Sequence, residues 1–402
     1  MNNNSSVSSS AYVLNGTFFI WGVMTALTSV SVPYVKSYFN LSNTGSGLIT
    51  LIFFMAPFIA SIPMGIMMMS HGYKRALKYA YGLAMLGAGI IIMAVNMHHF
   101  AILCAGVLCI ALAVSAMQVV ANPYLASLGS AESVPGRLSL ASSINSLGTV
   151  VAPLSAALLL GGFYQQSTQE QSGGLSLLYL VLLLFITGLL LMANLVKMPD
   201  VRGTATRAPS LRAEGRRLAR DPFFVFSVLA IFCYVGAEVA IGVNAVVYMS
   251  DPALGQLSIK EAASLIALYW AGAMLGRFVY GLWFHRLNIS RLLMICTASP
   301  IVLIALAMLL ADNSSAYLFL LIGLTNSIIY PVVYSMVINN IDKQLIPMAS
   351  AILIMAGLGG AVIPFVQAMV ADAVGLIYGF GIPLLSYFYL FHFAVKYRQR
   401  MR

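Results

Sequence analysis

Eleven acidic side chains occur among 402 residues, and ten of them fall in or beside polar breaks. The eleventh, Glu238, lies in CYVGAEVAIG at 233–242, roughly midway along an apolar run from Phe223 to Met249. Inserting a charged carboxylate at the centre of a membrane costs on the order of 3 kcal/mol, so such groups usually face a cavity and serve transport. Glu238 is therefore read as a coupling group for H⁺ or Na⁺. The competing reading is a protonated glutamate that clamps neighbouring helices through a hydrogen bond.

Other polar side chains inside apolar runs share one spacing. Thr25 and Ser29, Gln118 and Asn122, Tyr234 and Glu238, and Asn326, Tyr330 and Tyr334 are separated by four residues in each case. That spacing places the members of each set on one helix face. Apart from Glu238 and Tyr334, and together with Asn145, Asn244, Tyr269, Trp270 and Trp21, they form the expected substrate contacts: amides and hydroxyls for hydrogen bonds, indoles for the CH face of a ring. The bland alternatives are that Thr and Ser bond their own helix backbone and that the aromatic rings fill a core. Catalytic patterns are missing: no metal-ligand spacing, no GxSxG, no phosphate-cradling glycine loop. The expectation is neither an enzyme nor a cofactor-bearing protein.

The elements that must carry these residues follow from composition. With 60% hydrophobic and 8% charged residues and a mean hydropathy of +0.92, the chain cannot cover a soluble surface, which needs about a quarter charged residues. Apolar segments of about 20 residues recur, each long enough to cross a bilayer as a helix. The reading is an all-α polytopic membrane protein with spans at 12–38, 44–69, 76–96, 100–127, 138–160, 175–196, 223–249, 261–284, 292–311, 316–338, 347–370 and 374–395. Residues 1–196 would form one six-helix bundle and 223–402 another, joined by a basic cytoplasmic linker at 197–222. With both termini in the cytoplasm, 19 of the 21 Lys and Arg residues fall on that side, including three assigned to the loop after span 8. This is the asymmetry of the positive-inside rule, and it explains the net charge of +10 without nucleic acid. The N-terminus lacks the basic start of a signal peptide, and the four cysteines sit in apolar runs as packing residues.

The halves repeat. LGTVVAP at 147–153 parallels LGGAVIP at 358–364, and a proline interrupts both ANPY at 121–124 and IYPV at 329–332. Duplicated halves with helix-breaking residues in matching places are a transporter layout. The motifs FFIWG at 18–22, GIMMMSHGYKR at 65–75, QVVANPY at 118–124, RLSLASSINSLGT at 137–149, CYVGAEVAIG and YWAGAMLGRF at 269–278 resemble the major facilitator superfamily. Within it they resemble the fucose–galactose–glucose:proton symporter family, most closely its bacterial glucose/galactose branch. The resemblance covers nearly the whole chain. It implies a superfamily fold of two pseudo-symmetric bundles in the inner membrane, generally monomeric, importing a monosaccharide with a cation by alternating access. It departs from the family pattern where Ser29 replaces a span 1 Asp, Gln118 a span 4 Glu and Ser142 a span 5 Gln. Glu238 is then the one intramembrane acid left. An uncoupled facilitator or exporter of a less polar metabolite, such as a siderophore or drug-like compound, is the alternative, and a membrane sensor the third reading.

Overall fold

The computed structural model describes residues 2–160, 168–199, 211–283 and 287–401, except 40, 42 and 258, and all regular elements among the described residues are helical. The first half comprises α1 (Asn2–Tyr38), α2 (Asn43–His71), α3 (Tyr73–Asn96), α4 (Phe100–Ala126), α5 (Val134–Leu160) and α6 (Thr168–Leu195). After the polar helix α7 (Leu211–Arg220) come α8 (Pro222–Ser250), α9 (Ile259–Trp283), α10 (Ile289–Leu310), α11 (Ser315–Asn326) and α12 (Ile329–Asn340). The chain ends with α13 (Ile346–Met355), α14 (Gly359–Val374), α15 (Leu376–Gly379) and α16 (Gly381–Lys396). Among the described residues ten stretches are long and apolar enough to cross a membrane, and α5 with the apolar Met55–His71 end of α2 brings the spans to twelve. The protein is an all-α polytopic membrane protein. Its outward-facing side chains agree: Leu184, Val302 and Phe365 are 63%, 64% and 66% exposed. Apolar surface of this kind is stable against hydrocarbon and a liability in water.

Spans 10 and 11, expected as single helices, are each interrupted. Span 10 is split between α11 and α12 at Ser327–Ile328, just before Pro331, whose missing N–H cannot continue the helical ladder. Span 11 passes through a 3₁₀ turn at Ala356–Leu358 between α13 and α14, where Gly357, Gly359 and Gly360 weaken the helix.

The chain forms two compact units: one of residues 1–129, 144–211 and 343–354, the other of 130–143, 212–342 and 355–402. The sequence repeat has a physical basis in each. A Cβ on Gly148 would stand 2.3 Å from the Phe19 carbonyl oxygen of α1 in the first unit. In the second, a Cβ on Gly359 would stand 1.9 Å from the Phe232 carbonyl oxygen of α8. Both distances are far inside van der Waals contact, so the shared glycine of the repeat lets one helix lie directly on the backbone of another.

Much of the basic linker, residues 200–210, lies outside the described residues. The linker helix α7 makes a surface ion pair, Arg217 to Asp342 at 2.7 Å, with side chains 59% and 64% exposed. Pairs this exposed contribute about 0–1 kcal/mol.

Candidate functional site

Asp221 caps α8 by accepting a hydrogen bond from the Phe223 amide at 2.9 Å, with Pro222 in the first turn; both features start helices well. Glu238 follows 16 residues after Pro222 and 12 before Ser250. At ~1.5 Å rise per residue it is therefore well away from both ends of the helix. It is not the isolated acid expected. The Arg277 Nη2 lies 2.8 Å from Glu238 Oε1, and the two side chains are 14% and 12% exposed.

Arg277 corrects the topology count. It was grouped with the basic residues of the loop after span 8, but it lies inside α9, six residues before Trp283. A basic residue near a span end scores as a loop cation when only runs of hydropathy are read. The available signal was its position eight residues after Tyr269, close to the same helix face.

The ion pair is embedded in a chain of hydrogen bonds within the second unit. Arg277 Nη2 also donates to the Tyr234 hydroxyl at 3.2 Å, and its Nε donates to the Ser327 carbonyl at 3.2 Å. The Tyr269 hydroxyl donates to the Glu238 backbone carbonyl at 2.9 Å. Asn326 Nδ2 donates to the Tyr269 hydroxyl at 2.8 Å, and the Tyr387 hydroxyl donates to Asn326 Oδ1 at 2.5 Å. The rings of Tyr234 and Tyr330 lie 6.5 Å apart, and those of Tyr330 and Tyr334 stack at 5.8 Å. Helices α8, α9, α11, α12 and α16 thus converge on one buried charge. Tyr234, Glu238, Tyr269, Asn326 and Tyr330, all expected site residues, are brought together; Arg277, Ser327 and Tyr387 were missed.

The remaining expected residues are placed elsewhere. Asn244 Nδ2 donates to Gln367 Oε1 at 2.8 Å. Trp270 meets Tyr269 edge-on at 5.0 Å, packs its indole against Gly242 and stays 42% exposed. In the first unit, Trp21 lies against Phe18 at 4.4 Å and Thr25 Oγ1 donates to the Trp21 carbonyl at 2.9 Å. Asn145 Nδ2 donates to the Phe18 carbonyl at 2.9 Å, and a Cβ on Gly22 would be 2.2 Å from the Asn145 carbonyl oxygen. Asn145 therefore ties α5 to α1. Gln118 is partly buried, and its backbone carbonyl accepts from Asn122 Nδ2 at 2.8 Å. The Ser29 side chain lies outside the described residues. Among the described residues no cluster of three or more His, Cys, Asp or Glu forms a metal site.

Residues 13–365 match the model of the Major Facilitator Superfamily. The chain belongs to that superfamily. It is 33% identical over 374 residues to a glucose/galactose transporter of Brucella abortus, covering 93% of this chain and 90% of that one. It is 29% identical over 411 residues to the L-fucose-proton symporter of Escherichia coli, covering 95% and 91%. Among solved structures it superposes on FucP in the outward conformation with a TM-score of 0.89 at 25% identity, covering 98% of this chain and 99% of that one. The membership fixes the fold as two pseudo-symmetric six-helix bundles, in a family of membrane transporters that includes sugar carriers.

Proposed function

We propose that this protein imports a monosaccharide across the inner membrane by alternating access, with both termini cytoplasmic, in symport with H⁺ or Na⁺ bound at Glu238. The observation that carries the reading is the buried Glu238–Arg277 pair. Breaking a buried pair by removing one charge is costly, so a cation loading onto Glu238 changes the energy of the whole chain from Tyr234 to Tyr387. That is what coupling requires: an ion that shifts a conformational equilibrium through differential interaction with its states. The substrate class is supported by relatives named for glucose, galactose and fucose. It is supported too by the site chemistry: the Asn326 amide and the phenols of Tyr234, Tyr269, Tyr330 and Tyr387 match a sugar's hydroxyls.

The reading is tested by counterflow of labelled glucose and galactose in proteoliposomes of purified protein. Saturable exchange of either sugar is expected. Absence of exchange with any hexose, together with thermal stabilisation by apolar compounds alone, would replace this reading with the facilitator or exporter of a less polar metabolite.

A further inference from the structure

Pro331 has no amide hydrogen, so the carbonyl four residues earlier, that of Ser327, loses its helical donor. The backbone at Ser327 and Ile328 is still helical in its dihedrals, so that carbonyl points along the helix to where residue 331 would donate. Arg277 Nε fills the vacancy from α9 at 3.2 Å. The first unit meets the same difficulty with neutral chemistry: Pro123 frees the Val119 carbonyl, and Ser350 Oγ donates to it at 2.8 Å. A hydroxyl makes that bond whatever the charge nearby. The guanidinium of Arg277 makes it while its Nη2 holds Glu238 Oε1 and the Tyr234 hydroxyl.

We propose that Arg277 is a positioning residue linking the charge on Glu238 to the break in span 10. The inference rests on the reading of Glu238 as the coupling site. With Glu238 ionised, the planar fork is fixed at both ends, and the break between α11 and α12 is held. When Glu238 takes up a cation, the guanidinium loses its ionic anchor, and its hold on the Ser327 carbonyl loosens. Helix α12, which carries Tyr330 and Tyr334 beyond the break, is then free to reorient against α11. Lysine cannot substitute, because an ammonium is a point charge without the rigid fork that spans two acceptors.

The test is a double-substitution cycle of Arg277→Lys and Pro331→Ala. The alanine amide restores the helical donor to the Ser327 carbonyl and makes the Arg277 Nε bond redundant. Arg277→Lys alone is expected to lower kcat of hexose uptake about tenfold with KM little changed, and the same change made together with Pro331→Ala to lower it less than about threefold. Equal losses in both backgrounds would overturn the proposal, since a general packing defect is not relieved by one backbone amide. Thermal unfolding of the four purified proteins in detergent, which needs no substrate, should give the same pattern of rescue. If the native protein exchanges no hexose, the transport reading fails, while the unfolding cycle still decides the Arg277–Pro331 link. Should Arg277→Lys alone yield no folded protein, recovery by Pro331→Ala supports the link and no recovery overturns it.

Discussion

Replacing Arg277 by Met keeps much of the side-chain volume and leaves the Glu238 carboxylate, only 12% exposed, without its cation. At 2.8 Å and an effective dielectric of about 20, the gross attraction within the pair is about 6 kcal/mol. Most of that is offset by the cost of drying both groups, so the pair as a whole adds little net stability. Its one-sided loss does not share that offset: truncating a single partner of a buried pair costs about 3–5 kcal/mol. Arg277→Met should therefore lower the free energy of unfolding by about 3–5 kcal/mol. Adding Glu238→Gln should recover at least about half of the loss, because the unmatched charge is then gone and only hydrogen bonds are missing. The assay is reversible unfolding in mixed detergent micelles followed by far-UV circular dichroism, with the two single variants and the double variant measured together. A loss below about 1 kcal/mol for Arg277→Met, or strictly additive losses in the double variant, would refute the reasoning that the pair is buried and coupled.

Other consequences follow from the same geometry. Gly148→Ala and Gly359→Ala each push a methyl group onto a carbonyl oxygen, at 2.3 and 1.9 Å; each should destabilise by about 1–3 kcal/mol or more, read as lost thermal stability in detergent. Tyr387→Phe leaves Asn326 Oδ1, in a residue that is fully buried, without the phenol that donates to it; a loss of about 1–3 kcal/mol is expected in the same assay. Gln118→Ala removes one neutral hydrogen-bonding group from the proposed sugar contacts and should raise KM for hexose uptake roughly fivefold, the equivalent of about 1 kcal/mol, with stability unchanged.

The fold was legible because membrane spans declare themselves by length and hydropathy, and the repeat of LGTVVAP and LGGAVIP proved to be a packing device at Gly148 and Gly359. Glu238 was legible for a related reason: a lone acid in an apolar run has few bland explanations. Its partner was not. Arg277 stands six residues from the end of α9, where arginine is common for topological reasons, and only three-dimensional proximity separates a snorkelling cation from a buried one. Four-residue spacing correctly put Tyr234 with Glu238, yet it did not find Tyr387 or Ser327, which reach the site from other helices. The same limit applies to Asn145. Its place among the expected substrate contacts gave no sign that the close approach of α1 and α5 at Gly22 also provides its amide with the Phe18 carbonyl as partner. Breaks inside spans 10 and 11 were hidden because hydropathy continues unbroken through a proline or a glycine pair.

The most direct test of the account is accumulation of labelled glucose or galactose in proteoliposomes under an imposed inward H⁺ or Na⁺ gradient. The native protein should concentrate sugar against its gradient. Glu238→Gln should still equilibrate sugar by counterflow but concentrate none. Accumulation by Glu238→Gln to the native level would contradict the claim that coupling passes through this residue.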